Sequence, residues 1–467
     1  MKSAIALAAL LAAAPAAAQP LSPDVAAFRD TYKELVETNT ELSIGSCTEA
    51  AEKMAARLKA AGYADGDVHV FTGPDHPKEG GVVAVLHGSD PSAKAILLLA
   101  HIDVVEAKRE DWTRDPFKLV EENGYFYGRG ASDDKAMAAV WVDTMIRYKK
   151  EGFRPRRDVK MALTCGEETS GAFNGADWLV RNQRPWVDAA FALNEGAGGR
   201  LDEKGDRVSL GVQAGEKVYQ DYQLETTNPG GHSSRPVKDN AIYRLADGLA
   251  RLRDYDFPVQ FNDATRLYWD RMSKIVGGEN GAAMQAILKD PADAKADATL
   301  SKDPSWHSML RTTCVATRLS GGHANNALPQ RADANVNCRI FPGVPIEDVR
   351  QAIVKAVNDP QIAVTVVEPK SPAPPAPTLT PAMLGPVEKV SAELWPGVPV
   401  VPTMSTGATD GVYTNAGGIP TYGLSGMFGD PDGDGVHGLN ERIRVRSLYE
   451  GRDFLYRVVK LYADQKG

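Results

Sequence analysis

Two histidines and several carboxylates stand where a chain holds metal ions. His101 and Asp103 follow the apolar run Ala95 to Ala100, which reads as a buried strand of a parallel sheet. Ligands in open α/β sheets gather at the carboxyl ends of such strands. Asp103 is placed to take the proton of the second imidazole nitrogen of His101 and fix its tautomer. Further polar groups fall at strand ends or adjoining loops: Asp133 and Asp134, Glu167 and Glu168 after the strand Val159 to Cys165, and Glu195 after the strand Ala189 to Leu193. His437 lies in the glycine-rich loop Gly435-Val436-His437-Gly438. Taken singly, each has a plainer reading. Asp133 would cap its helix, and adjacent glutamates are usually solvated. Asp430, Asp432 and Asp434 lack the spacing of a calcium loop. Together, two histidines and three carboxylates suffice for two zinc ions if one carboxylate bridges them. A remaining carboxylate then serves as general base toward a metal-activated water.

The elements that must position these groups alternate. Helices are predicted at 22–38, 46–61 and 133–150, and strands at 81–86, 95–100, 159–165 and 189–193. This implies a mostly parallel sheet covered on both faces. After Gly211 the pattern changes. Strands near 217–227, 310–319, 332–341 and 362–367 interleave with helices at 241–253 and 346–358, the split βαβ order of a small two-layer domain. A polar, helix-prone stretch, 263–300, interrupts it. Residues 369–386 are proline-rich and read as a semi-rigid connector, after which buried strands resume at 398–404 and 419–424. The division expected is a signal at 1–18, a catalytic domain at 19–212 and 369–467, and an inserted domain at 213–368.

Residues 1–18 carry one positive charge, a short apolar core and Ala16-Ala17-Ala18. These mark a secretory signal peptide, so the expectation is an exported protein of the periplasm or medium. No other stretch has eighteen consecutive apolar residues, so no membrane partner is expected. The 467 residues carry a net charge of −8 without a basic block, which argues against nucleic acid. Four cysteines, Cys47, Cys165, Cys314 and Cys338, are too scattered for a disulfide scaffold or a zinc finger. Cys314 with Cys338 is the favoured pair, because both fall in strands of one small domain. Four buried thiols is the reading left open beside it.

Seven motifs, in order, resemble one family. They are Ala100-His101-Ile102-Asp103, Gly128-Arg129-Gly130-Ala131-Ser132-Asp133-Asp134-Lys135, Gly166-Glu167-Glu168, Leu193-Asn194-Glu195-Gly196, Pro229-Gly230-Gly231-His232, Asn326-Ala327-Leu328-Pro329 and His437-Gly438-Leu439-Asn440-Glu441-Arg442. The sequence is similar to the two-zinc amidohydrolases and exopeptidases that include aminoacylase, carboxypeptidase S, carnosinase, acetylornithine deacetylase and succinyl-diaminopimelate desuccinylase. The resemblance implies a zinc-exopeptidase-like mixed α/β sheet sandwiched by helices, with an inserted ferredoxin-like α+β domain that dimerises the chain.

It implies that His101, Asp133 and Glu195 hold one Zn2+ and that Asp133, Glu168 and His437 hold the other, with Co2+ or Mn2+ as substitutes. Glu167 becomes the general base and Asp103 the residue that orients His101. The peptide bond Asp133-Asp134 is expected to be cis. His232 is expected to reach a partner subunit's active site and stabilise the oxyanion. Asn326, Arg339 and Gly407 match substrate-binding positions. The sequence departs from the family at Asn194, where many relatives have aspartate, and at Ala136, where glycine is usual. Neither removes a ligand. The function expected is hydrolysis of a peptide or N-acyl-amino-acid bond, of the carboxypeptidase or aminoacylase type, on a small substrate. A dipeptidase or aminopeptidase of the same family is the alternative. A non-catalytic periplasmic binding protein would require loss of Glu167 or of a ligand, and none is lost.

Overall fold

The computed structural model describes residues 21–169 and 173–466. The expected signal at 1–18 lies outside them. No described helix is long and apolar enough to cross a membrane.

The strand Ile96–His101 shows why the large sheet must be covered on both sides. Ile96, Leu98 and Ala100 enter one apolar core, while Leu97 and Leu99 enter another. Successive side chains of a strand point to opposite faces, so the two cores lie on opposite faces. The helices Pro23–Glu37, Cys47–Ala60, Lys135–Glu151 and Val445–Asp464 supply the first core. The helix Gly175–Asn182 supplies Ala176 and Leu179 on the other side of the sheet, Leu179 entering the second core.

The sheet has ten strands and is mixed. Its centre is parallel, as expected: Val159–Thr164, Ile96–His101, Phe191–Asn194 and Thr421–Gly423 lie side by side. "Mostly parallel" nevertheless overstates it. His76–Leu86 pairs antiparallel with Val159–Thr164, and the unanticipated edge strand Val68–Gly73 pairs antiparallel with His76–Leu86. These two strands form a hairpin, which needs no crossover helix, so helix-strand alternation in sequence did not reveal their direction.

A second sheet of four strands comes from Val218–Thr227, Thr313–Gly321, Arg331–Ile340 and Ile362–Val366. All its neighbours are antiparallel, and Val218–Thr227 and Arg331–Ile340 are central. With the helices Ala241–Arg253 and Ile346–Val357, this is the ferredoxin-like arrangement.

The stretch 263–300 resolves into helices Asp263–Val276, Gly278–Lys289 and Ala294–Leu300, followed by Pro304–Leu310. Their core includes Trp269, Met272, Met284 and Leu310, and it packs on Val401 and Met404 of the strand Val400–Ser405. They therefore cover the large sheet rather than the small one.

The connector is shorter than proline content suggested. A helix, Pro381–Leu394, begins inside it. Thr380 caps it and Pro381 occupies its first position, where a missing N–H costs nothing. Pro386 lies within the helix, and the carbonyl of Ala382 that it leaves free accepts from Gln465 Nε2 at 2.9 Å.

All four cysteines are paired. Cys314–Cys338 links directly opposed positions of two antiparallel strands. Cys47–Cys165, which no sequence spacing suggested, ties the start of one helix to the residue before Gly166. The reading of four buried thiols is overturned.

Candidate metal centre

The ends of the central strands bring the predicted ligands to one place. His101 closes the strand Ile96–His101, and Glu195 follows the strand Phe191–Asn194. Glu167 and Glu168 come from the loop after Val159–Thr164, and Asp133 precedes the helix Lys135–Glu151. The Asp133-Asp134 peptide bond is cis, as expected.

Asp133 presents its two carboxylate oxygens to two different histidines. Oδ1 lies 3.0 Å from His101 Nε2, and Oδ2 lies 3.2 Å from His437 Nε2. Glu195 Oε1 stands 3.6 Å from His101 Nε2, and Glu168 Oε2 stands 2.9 Å from His437 Nε2. Two triads of donor atoms result, His101–Asp133–Glu195 and Asp133–Glu168–His437, which share only Asp133. On an ion with ligand bonds of about 2.0–2.2 Å, tetrahedral neighbours stand roughly 3.4 Å apart, so these spacings fit two adjacent ions.

The charge balance also fits cations. Burial pushes Glu167 up to about 8 and Glu168 up to about 7, and their carboxylate neighbours add to the rise. Glu195 is held well above its usual range by the same causes. The hydrogen bond to Asp133, with Glu168 beside it, lifts His437 to about 9. Burial pulls His101 down, but Glu195, Asp103 and Asp133 outweigh it and raise its pKa above the usual imidazole range. A metal bound here would compete with protons for these histidine nitrogens and carboxylates.

Asp103 is buried beside His101. Its carbonyl lies 3.2 Å and its Oδ1 lies 3.5 Å from His101 Nδ1, so Nδ1 donates there and Nε2 faces the site. Oδ2 accepts the backbone N–H of Glu168 at 3.0 Å. Glu167 makes no side-chain hydrogen bond among the described residues. Its carboxylate lies within 4.8 Å of the donor atoms of His101 and Glu168.

Glu441, whose role the motif alone did not disclose, holds the segment that carries Asp133 from behind. It is 1% exposed. Its oxygens accept Arg129 Nη1 at 2.9 Å and the backbone N–H groups of Gly130, Ser132 and Asp133 at 3.0, 2.8 and 3.0 Å. Arg129 Nη2 donates in turn to the carbonyl of Gly438, beside His437.

The remaining predicted residues make no hydrogen bond or ion pair with these candidate donors among the described residues. Gly231–His232 pairs with Ala327–Leu328, and Ser233 N donates to the carbonyl of Asn326. His232 and Asn326 are thus brought close on two paired, exposed segments of the small domain, with His232 Nδ1 2.8 Å from Ser234 Oγ. Arg339 lies on the small sheet over the ring of Tyr219, 4.9 Å from its centroid. It has no hydrogen bond or ion pair among the described residues. Gly407 is exposed, and only Ser405 Oγ stands near the space a side chain would take.

A sheet with carboxylates and histidines converging at its parallel strand ends, and two ligand triads sharing one aspartate, defines a metal-dependent hydrolase of amide or peptide bonds. The profile of peptidase family M20/M25/M40 matches residues 97–461. The chain belongs to that family, whose members are metal-dependent, typically with two ions.

It is 30% identical over 374 residues to N-fatty-acyl-amino acid synthase/hydrolase PM20D1 of Xenopus tropicalis, covering 78% of this chain and 71% of that one. It is 28% identical over 390 residues to probable carboxypeptidase S-like 2 of Dictyostelium discoideum, covering 80% and 72%. Among solved structures it resembles the metallo-carboxypeptidase Sso-CP2 of Sulfolobus solfataricus, with a TM-score of 0.68, 19% identity, and coverage of 95% of this chain and 100% of that one. It also resembles the Bacillus subtilis YXEP protein, described as a dinuclear metal-binding peptidase, with a TM-score of 0.61, 13% identity, and coverage of 94% and 98%.

Proposed function

We propose that this chain is an exported two-zinc hydrolase that splits N-acyl amino acids or peptides bearing a free carboxylate. The observation that carries the reading is Asp133, whose two oxygens face two histidines from different segments. His101, Asp133 and Glu195 would hold one ion, and Asp133, Glu168 and His437 the other. Bound there, the ions supply Lewis acidity toward a substrate carbonyl and toward water.

Glu167 takes the proton from the attacking water and passes it to the leaving nitrogen. Its lack of a competing hydrogen bond among the described residues leaves it free for both halves of that transfer. Asp103 keeps His101 in the tautomer that presents Nε2. Arg339, a guanidinium without a partner among the described residues, offers a fork for the substrate carboxylate. Gly407 leaves room for substrate to lie along the backbone. Asn326 and His232, on two paired segments, would contact the carbonyl being attacked.

The name of the Xenopus relative and the aminoacylase name of a rat relative support an acylated amino acid as substrate. Two disulfides support export, because such bonds persist in oxidising compartments. We also propose that two copies pair through the small domain. Its edge strand Thr313–Gly321 exposes Val315 at 60% and Leu319 at 70%, beside Ile242 and Tyr243. An open apolar edge of this kind suits a second strand.

The test is to incubate zinc-loaded protein with pooled N-acyl amino acids and dipeptides and to identify products by mass spectrometry. Glu167→Ala should lose about 10²–10⁴-fold in turnover with metal content kept, whereas Glu168→Ala should lose metal. Exchange of these phenotypes would reverse the two assignments.

A further inference from the structure

The loop that carries Glu167 is held by a carboxylate that is remote in sequence and touches no ligand. Asp410 is 2% exposed. Its Oδ2 accepts Thr164 Oγ1 at 2.8 Å, and its Oδ1 accepts Asn174 Nδ2 at 2.7 Å. Thr164 ends the strand from which the Glu167 loop departs. Asn174 grips the far side of that loop, because its amide also donates to the carbonyl of Gly166 at 3.2 Å while its Oδ1 caps the helix Gly175–Asn182. One buried side chain therefore pins both ends of the turn. Gly166 has φ +96°, and a Cβ there would meet the carbonyl oxygen of Phe173 at 1.8 Å. The two sides of the loop thus pass so close that residue 166 has no room for a side chain.

Asp410 is itself anchored. Its neighbour Thr409 donates to Glu216 Oε2 at 2.8 Å and accepts Asn194 Nδ2 at 3.0 Å. Asn194 immediately precedes Glu195. The dipeptide Thr409-Asp410 thus joins the strand end that bears Glu195 to the turn that bears Glu167. A carboxylate taken out of water for two neutral donors is costly unless it is well held, and a solvated surface loop would not need it.

We propose that Asp410 is a positioning residue, gripping Thr164 and Asn174 so that Glu167 is aimed at the reacting water. The proposal rests on the reading of Glu167 as general base. Asparagine at 410 retains much of the grip. Its Oδ1 still accepts from Asn174, and its Nδ2 donates to Thr164, whose hydroxyl turns to the carbonyl of Ala100, 3.2 Å away.

The experiment compares wild type, Asp410→Ala, Asp410→Asn, Glu167→Ala and the Glu167→Ala/Asp410→Ala double variant, all as metal-loaded full chains. It reads kcat, KM, metal per chain by elemental analysis, and thermal unfolding. Asp410→Ala is expected to keep both metals and KM within about three-fold, and to lose about 10²-fold in kcat, the scale of a misplacement near 1 Å. Asp410→Asn should recover about ten-fold or more of that loss. In the Glu167→Ala background, removing Asp410 should cost nothing further, because the group it aims is gone. An undiminished Asp410→Ala, or an equal loss with Glu167 absent, overturns the proposal while leaving the base assignment standing. A fully active Glu167→Ala overturns both. If Asp410→Ala does not fold, the isosteric Thr164→Val removes half the grip. It should then lower kcat about ten-fold at unchanged KM, and unchanged kcat would overturn the proposal.

Discussion

Replacing Glu441 by glutamine changes one atom and should loosen the metal centre from behind. The carboxylate needs both oxygens as acceptors. Oε2 takes Arg129 Nη1 and the N–H of Gly130, and Oε1 takes the N–H groups of Ser132 and Asp133. Burial raises its pKa, and the four donors oppose that rise. Whichever end of the glutamine amide carries nitrogen, two buried donors then face an NH2 group. An orphaned buried donor costs about 1–3 kcal/mol, so the variant should lose about 2–6 kcal/mol, the upper end if Arg129 is abandoned. Against a typical total of about 5–15 kcal/mol, that is a large fraction. Because the released N–H groups belong to the segment ending in Asp133, metal affinity should fall about 10–100-fold, as for other groups that support ligands. Chelator competition reads the affinity, and thermal unfolding with and without metal reads the stability. Unchanged affinity together with an unchanged melting temperature would refute the argument.

Three further outcomes involve Arg339, His232 and Lys217. Arg339→Ala should lower kcat/KM for carboxylate substrates by an amount equivalent to about 1.5–3 kcal/mol and leave amidated substrates nearly unchanged; equal losses on both would make Arg339 structural. Glu167→Ala and His232→Ala, each nearly inactive, should regain roughly a quarter of wild-type activity when reassembled as mixed dimers, and no recovery despite proven subunit exchange would place His232 in its own subunit's site. Lys217 is fully buried, its ammonium donates among the described residues only to Ser308 Oγ and Thr313 Oγ1, and burial pulls its pKa down to about 7, with Arg339 and Arg311 nearby. Its folded pKa is depressed below the unfolded value, so the charged form opposes folding fully below pH 7, and this cost lifts as pH rises from 7 toward 10.5. Lys217→Met should therefore stabilise the chain more at pH 6 than at pH 9, by a difference of roughly 2 kcal/mol, and a pH-independent effect in denaturant titrations would contradict it.

Part of the candidate site was legible because some of its residues interrupt a strong local pattern, whereas Asp133 and His437 stood out only through the motifs around them. His101 ends an all-apolar run, and Glu167 and Glu195 follow others, so strand-end chemistry was visible before any contact was known. The small sheet was legible for a related reason, since Val218–Thr227 and Arg331–Ile340 alternate strictly in burial. Glu441 and Asp410 were not legible as supports. Their partners lie far away in sequence, Ser132 at a separation of 309 and Thr164 at 246, and nothing in either side chain's own neighbourhood announces them. Cys47–Cys165 spans 118 residues and was hidden in the same way. The stretch 263–300 showed its helical type but not its destination, because an amphipathic face does not say which sheet it will cover; the helix Pro304–Leu310 was not anticipated.

The claim on which the rest depends is a pair of ions bridged by Asp133. It is tested most directly by elemental analysis of active, purified protein alongside Glu195→Ala, His437→Ala and Asp133→Ala. The account predicts two transition-metal ions per chain in wild type, one in each of the first two variants, and neither held tightly in the third. An active wild-type protein carrying no transition metal, or an Asp133→Ala variant that keeps both ions, would contradict it.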